Sequence, residues 1–566
     1  MTAYTPTTQD VFLPLKYAPT TSPYLRNWSS TYNHTPSLFF QPVSAQEIAS
    51  IFRAAKERGK KVRVVGEFNS PGPGWHGEWI ISTKHFRTVQ ITRSSSSSSS
   101  PHLALLGSGL TLREANALLA SYSLSFTTIG SIDCIALGSC FSGPDHGTSA
   151  YHSLISSSAR AVTIVTPDGE VRRTKRGEEL FRAAGAGVGG VGCVVEVEWE
   201  VEEAFGLEVT FERIKLGEYL KDESGKALYD LARSEEFVKI WHFPHSLPSP
   251  LNATDTILWR ARRVPFPPAS PPPSYFSLLT TWLSHVLHGL LILFTMWVWP
   301  GAQGYVNGVL YWMAAWGLPK REVKRGYEAM LMDCKYSQLV NEWTVPLPHP
   351  SSLSSLLSSQ SSPSQPSSPV SPALQFLRPF LTYIHPSSPT GHALGMHAPV
   401  EIRFSKCERE GEGFWLSPAA ALPRRKGEKE EKGEKGEGKE GEDDLVMWVE
   451  PIVYTPLRLP PPPRFFPFFQ SFESLLRLPS VSGRPHWAKA HFPTSPAELA
   501  RMFGRENVEE YHRVRAGADR EGTVWTRWME ERVPGGGRGK EGSAQRESER
   551  EGKRTGRWED VMGSRK

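Results

Sequence analysis

Between residues 130 and 149 the chain reads GSIDCIALGSCFSGPDHGTS, a run of small residues and turn formers around a single His-Gly pair. Such a run is too glycine-rich for an ordinary helix or strand. It suits a loop whose backbone N–H groups approach a phosphorylated ligand closely. Two further runs share the property, VGEFNSPGPG at 65–74 and GAGVGGVG at 185–192. A fold that brings three glycine loops to one ligand needs strands and helices to deliver them, and the intervening sequence supplies both.

Ser44, followed three residues later by Glu47, marks the start of an amphipathic helix with Ile48, Ile51, Phe52 and Ala55 on one face. Val62, Val64 and Val65 follow as a strand that ends at Gly66 in the first glycine loop. Residues 161–165 read as a strand, Pro167-Asp168-Gly169-Glu170 as a hairpin turn and 171–173 as the returning strand. A short helix is predicted over 178–184. From Cys193 to Val201 valines alternate with glutamates, as in a strand with one solvated face. Helices among antiparallel strands predict an α+β fold.

With 566 residues, 39% of them hydrophobic, the chain has material for two or more domains. Its net charge is +5, and many of its basic residues sit in Arg/Lys-rich low-complexity segments, so a folded basic patch for nucleic-acid recognition gets no support. Residues 94–100, 265–273, 350–372, 424–444 and the tail after Pro534 lack apolar periodicity and are expected to be loops or disordered insertions. Cys134, Cys140, Cys193, Cys334 and Cys407 form no CxxC pair and have no histidine at ligand spacing. Free thiols in a reducing compartment are expected, and no metal. The N-terminus lacks a basic region followed by an apolar core, so an intracellular location is expected, not secretion.

One segment looks membranous. Residues 275–299, YFSLLTTWLSHVLHGLLILFTMWVW, contain no Asp, Glu, Lys or Arg and are long enough to cross roughly 30 Å of hydrocarbon. His285, His288, Gly289 and several hydroxyl residues dilute the run. Three placements are open: a span, a helix lying in the membrane interface, and a buried helix.

Set in order over residues 27–201, NWSSTYNHTPSLFFQPVSAQEI, GKKVRVVG, GSID, DHGTS and LFRAAGAGVGGVG resemble the PCMH-type FAD-binding domain of the vanillyl-alcohol oxidase class. FVKIWHFPHS, LWRARR, DCKYSQLVNEW, PVEIRFS and GRPHWAKAH resemble the sugar-lactone oxidases, the D-arabinono-1,4-lactone oxidase family above all. A lone glycine loop serves many ligands, whereas eight or more short motifs in one order are specific. The resemblance implies an N-terminal segment (1–33) and a two-subdomain FAD-binding domain (34–204). An α+β substrate or cap domain of the aldonolactone oxidase type (205–533) follows, with insertions at 265–273, 350–372 and 424–444, then a basic tail (534–566).

The cofactor implied is FAD, held through Val65, Gly66, Asn69, Ser70 and Pro71, through Gly130, Ser131, Ile132, Gly138, Ser142, Gly143, His146 and Gly147, and through Gly192 and Val195. In PVEIRF, Glu401 and Arg403 alternate with Val400, Ile402 and Phe404 and so share one strand face. The resemblance gives this pair the task of binding the polyol and orienting the hydroxyl being oxidised. Lys489 matches a lysine near the flavin N1, where a cation stabilises the anionic reduced ring. His146 and His486 are read either as cofactor contacts or as packed histidines.

The implied reaction takes hydride from an aldono-1,4-lactone, D-arabinono-1,4-lactone foremost, to flavin. Oxygen is the final acceptor, and an ascorbate-type lactone and hydrogen peroxide are the products. Gly130 stands where oxygen-excluding dehydrogenases of the family carry alanine. Association with a mitochondrial membrane, through 275–299, goes with this reading.

One departure bears on cofactor attachment. The family joins FAD to the histidine of a G-x-G-H-S-P loop, whereas this chain reads Gly66-Glu67-Phe68-Asn69-Ser70-Pro71. A carboxamide lacks the nucleophilic nitrogen that the bond requires, so noncovalent FAD is expected, and His76 is out of register to replace it. Glu67 and Asp145 place negative charge near a pyrophosphate. Two functions follow: an active oxidase with dissociable FAD, or a diverged, weakly active or inactive homologue serving as a binding or scaffold protein. Retention of Glu401, Arg403 and Lys489 favours the first.

Overall fold

The computed structural model describes residues 15–70, 72, 74–94, 101–247, 253–268, 274–332, 336–353, 370–409, 411–421 and 443–535. Most of the expected low-complexity segments lie outside the described residues, as do Pro71 and Cys334.

Ser44 caps the helix Ala45–Glu57 by accepting the Glu47 N–H. The Glu47 carboxylate does not close the capping box but takes the N–H groups of Val43 and Lys16, which ties down the chain entering the helix. Ile48, Ile51 and Phe52 are wholly buried, in one core with Val62, Trp79 and Ile81. Strands Leu38–Phe40, Trp79–Ser82 and Val62–Val65 pair in parallel, with Thr20–Thr21 on the edge. The first glycine loop leaves the end of Val62–Val65.

The second sheet is antiparallel and runs in the order Val171–Lys175, Ala159–Val165, Cys193–Glu203, His102–Gly107 and Val89–Thr92. Gly169 closes its hairpin at φ +89°, a left-handed conformation that glycine adopts without strain. Along Cys193–Glu203 the valines are buried and most of the glutamates half-buried, the one-sided pattern expected of this strand.

The third sheet has eight strands in the order Arg321–Arg325, Phe205–Ile214, Thr256–Pro265, Phe237–His242, Val400–Lys406, Leu445–Glu450, Trp343–Leu347 and Arg484–Pro485. Its central strands are buried on both faces, so Glu401, Arg403 and Glu450 stand out in otherwise apolar surroundings. Two contacts stitch this sheet to the end of the 130–149 glycine run. Ser149 N–H donates to the Phe404 carbonyl at 2.7 Å, and the Thr148 hydroxyl donates to the Val238 carbonyl.

The C-terminal stretch, expected to lie with the substrate region, returns to the first sheet. Val62 N–H donates to the Thr523 carbonyl at 2.8 Å, the Tyr511 hydroxyl donates to Gly187 O at 2.9 Å, and Val524 joins the core of Ile48 and Val62. Its apolar side chains find their burial there.

The membranous segment forms the helix Tyr275–Trp297, and a second helix, Gln303–Gly317, follows it after a short turn. Each docks one face on the protein body. Ile292, Thr295 and Met296 are buried, and Asn307 Nδ2 donates to the carbonyls of Pro244 and Met396, both at 2.8 Å. Gly304 and Gly308 come so close to Ser246 and Leu247 that a Cβ would meet them at 2.5 and 2.6 Å. The opposite faces expose at least half of Trp282, Leu287, Leu290, Trp297, Tyr305, Val309, Trp312 and Trp316. Only 17% of the apolar window is buried, which rules out the buried-helix placement.

Candidate active site

The glycine loops and the eight-stranded sheet face each other across a cleft with about 1740 Å³ of atom-free space, its open mouth included. One wall is small and mostly backbone: Val65, Gly66, Asn69 and Ser70 from the first loop, Ser131, Ile132, Gly138, Ser142 and Gly143 from the second, and Gly189 and Gly192 from the third. Glycine is needed at 66 and 138 by protein neighbours. A Cβ would meet Ala136 Cβ at 2.6 Å or Ser108 Cβ at 2.8 Å, so the loops could not close on each other.

The other wall is charged. Arg403 Nη2 donates to Glu342 Oε1 at 2.8 Å, and its Nη1 donates to Ser131 Oγ at 3.1 Å, reaching the facing loop. Glu401 Oε2 lies 3.3 Å from Arg403 Nε, and Glu450 Oε2 lies 3.4 Å from Nη2. Lys489 Nζ donates to Glu450 Oε1 at 2.6 Å and stands 3.4 Å from Glu342 Oε2. Sheet register sets Glu401 directly opposite Glu450 on the neighbouring strand.

Burial alone would neutralise Arg403, Lys489 and Glu342, and their pairing prevents it. Burial opposes the charge on Arg403, but Glu401, Glu342 and Glu450 outweigh it and raise the guanidinium's pKa further. Glu450 and Glu342 do the same for Lys489. Burial would also raise Glu342, yet Lys489, Arg403 and His146 hold it well below the carboxylate range. For Glu450, burial and the Glu342 charge win and push the carboxyl up.

His146 lies flat against Trp448, ring centres 3.6 Å apart, with Nε2 3.0 Å from Glu342 and Nδ1 3.0 Å from the Gly147 carbonyl. Burial and Arg403 push it down to about 4. His486 also lines the cleft, accepts the Ala488 N–H, and is pushed well down by burial. His146, Glu342 and His486 bring ligand atoms within 4.8 Å of one another, but a cation there would face Arg403 and Lys489 as well.

Three expected cofactor contacts do not line the cleft. Val195 turns the other way, into the core of Phe52 and Val165, because strand alternation gives the cleft side to Val194. Gly147 packs against Thr128 and Ile129, where a Cβ would lie 2.1 Å from Thr128 Oγ1. Gly130 backs onto Asp145, whose Oδ1 would meet a Cβ at 2.5 Å. Pro71 lies outside the described residues. Asp145 does line the cleft, its Oδ2 has no hydrogen-bond partner among the described residues, and burial pushes it up to about 6.

Asn69 is held by the second loop. Its Nδ2 donates to the Cys134 carbonyl at 2.6 Å and its Oδ1 accepts the Cys134 thiol at 3.3 Å. His76 stacks on His34 instead of reaching the cleft. Glu342, Glu450 and Arg63 are cleft residues that the sequence did not single out. Glu342 lies within the recognised stretch DCKYSQLVNEW, and Glu450 is the lone acid ending the apolar strand LVMWVE.

The donor set fits a flavin dinucleotide. Arg63 and Trp75 line the cleft on the glycine side, and each carries a buried N–H, Nε and Nε1, without a hydrogen-bond partner among the described residues, unspent donors of the kind an anionic dinucleotide takes up. Comparison with known proteins agrees. Residues 36–175 match the FAD binding domain, and residues 197–532, more than half of the chain, match D-arabinono-1,4-lactone oxidase. The chain belongs to the D-arabinono-1,4-lactone oxidase family. It is an FAD-dependent oxidoreductase of the aldonolactone oxidase type.

D-arabinono-1,4-lactone oxidase of Yarrowia lipolytica is 24% identical over 84% of this chain and 87% of its own length. L-gulonolactone oxidase of Bos taurus is 23% identical over 82% and 89%. Among solved structures, cholesterol oxidase from B. sterolicum superposes with a TM-score of 0.66 at 12% identity, covering 94% of this chain and all of that one. That likeness is one of fold.

Proposed function

We propose that the chain oxidises D-arabinono-1,4-lactone or a closely related aldonolactone with noncovalently bound FAD, passing the electrons to oxygen. The observation that carries this reading is the buried cluster of Glu342, Glu401, Arg403, Glu450 and Lys489 facing the glycine loops across one cleft. Bound FAD supplies a two-electron acceptor for hydride and hands the pair to oxygen, giving hydrogen peroxide. Arg403 and Glu401 bind and orient the polyol. Arg403 donates toward ring oxygens, and Glu401, itself held by Trp241 Nε1 at 3.3 Å, accepts from hydroxyls. The carbon that loses hydride also loses its hydroxyl proton, and the 2-keto lactone enolises to an ascorbate-type product. Lys489 supplies the positive charge that steadies the reduced cofactor.

Asn69 carries no group able to bond to FAD. Acid precipitation of the purified protein should therefore release yellow colour to the supernatant, and the native protein should form peroxide only with lactone. Colour retained in the pellet would sink the noncovalent reading. A protein that takes up FAD yet oxidises no aldonolactone would favour the scaffold alternative.

We further propose that the two exposed apolar helices lie on an intracellular membrane, that of the mitochondrion. Both have one face docked on the protein, a placement at odds with crossing the bilayer. At about 1.5 Å per residue the 15-residue second helix is too short to span. Trp282, Trp297, Trp312 and Trp316 suit the interface. Cosedimentation with lipid vesicles tests this, and recovery in the supernatant at all lipid concentrations would refute it.

A further inference from the structure

Oxidation of a lactone hydroxyl releases a proton inside the cleft, and some side chain there must receive it. We propose that Glu450 is this acceptor, the catalytic base of the reaction; the inference rests on the aldonolactone reading above.

Negative charge is crowded around Glu450. Glu342, Glu401 and Glu450 lie within ion-pair distance of Arg403 and Lys489, while Lys239, whose Nζ donates to the Met330 carbonyl, faces the Glu401 end and Asp145 adds a carboxyl from the opposite loop. Glu450 stands opposite Glu401 and beside Glu342, so a proton taken up there relieves the repulsion among buried carboxylates.

Geometry then selects the site. Glu342 accepts from Arg403 and His146 and lies beside Lys489, so it is the most strongly stabilised anion and the weakest base. His146 has both ring nitrogens engaged and its ring against Trp448. His486 accepts the Ala488 N–H and, with Arg403, Lys489 and His146 nearby, resists protonation. Asp145 belongs to the facing loop, with the Cys140 thiol bonded to it. Glu401 is held by Trp241 and Arg403, the contacts that make it a binding group.

Glu450 differs from all of these. It has one close cation, Lys489 at 2.6 Å, its second oxygen is 3.4 Å from Arg403, and it faces the cleft from the end of its strand. Burial and the neighbouring Glu342 charge raise its proton affinity, as a base working near neutrality requires. In the step, the hydroxyl O–H bond breaks as the C–H bond gives up hydride. The oxygen keeps the electron pair and becomes the ketone, and the proton forms an O–H bond on Glu450. Lys489 stays bonded to it and the proton later leaves to water.

The test is anaerobic stopped-flow reduction of the FAD-loaded enzyme by D-arabinono-1,4-lactone across pH. The wild-type rate should rise with pH through one ionisation and level off. Glu450→Gln, with unchanged flavin spectrum and lactone-induced spectral shift, should be at least about 100-fold slower and lose the pH step. Glu450→Asp should keep the step at a reduced rate, and it carries the test if the glutamine variant fails to hold FAD. A glutamine variant within threefold of wild type, or one that keeps the pH step, overturns the assignment. Wild-type enzyme that no aldonolactone reduces overturns the functional reading itself, and this assignment with it.

Discussion

The two walls of the cleft are built on opposite principles. The glycine wall is defined by what it lacks: at Gly66 and Gly138 a single methyl group would strike Ala136, Ser139 or Ser108. The sheet wall is defined by what it holds, three buried carboxylates packed against the guanidinium of Arg403 and the ammonium of Lys489. The first should fail through size and the second through charge.

Removing the central cation is the hardest blow to the charged wall. Arg403→Met deprives Glu342, Glu401 and Glu450 of the cation they share, and should cost about 3–5 kcal/mol of stability together with lactone oxidation. Calorimetric melting checks it, and an unchanged melting temperature would show that the carboxylates do not depend on Arg403 for their place in the fold. On the glycine wall, Gly138→Val should cost about 1–3 kcal/mol through overpacking against Ser108. Flavin absorbance per protein should fall, whereas a polar replacement of similar size should do no better. If the polar residue rescued FAD uptake, size would not be the governing property.

Asp145 breaks the pattern by setting a charge on the glycine side. Its carboxyl rises from 3.8 to about 6, so its contribution to stability is full below about 4 and lost as pH climbs through 6. Asp145→Asn should converge on wild type at about pH 3 and be more stable above pH 6, by about 3 kcal/mol, in paired melting curves. An advantage at low pH instead would mean that the folded protein favours the ionised form. The smallest effect on folding belongs to neither wall: Trp312→Ser should shift stability by less than about 0.5 kcal/mol while weakening vesicle binding.

The glycine wall was the more legible from sequence, because a run of small residues announces close backbone approach without reference to anything distant. Val195 was misassigned to it by one position of strand alternation, and Gly130 and Gly147 because a glycine shows that space is tight but not what fills it. The charged wall was legible only in part. Glu401 and Arg403 stand two apart on one strand, whereas Glu342 and Glu450 join them across sheet pairings of distant segments. Even so, a lone glutamate ending the apolar run LVMWVE was a signal, since a buried acid needs a partner. The apolar helix was visible as a run of residues. The docked face that argues against its crossing a membrane, and the second helix beside it, exist only in the packing.

The cleft is lined from Trp28 near one end of the described chain to Trp528 near the other, with Arg63 touching both Val188 and Met529. A ligand seated there bridges segments that meet only in the finished fold, so its binding energy adds to the stability of the whole molecule. At a free concentration of about 100 times its dissociation constant, a dissociable cofactor contributes about 2.7 kcal/mol, and nothing when it is scarce. On the noncovalent reading proposed above, that contribution tracks supply. A cell short of flavin would then lose the protein to turnover before it lost the activity per molecule.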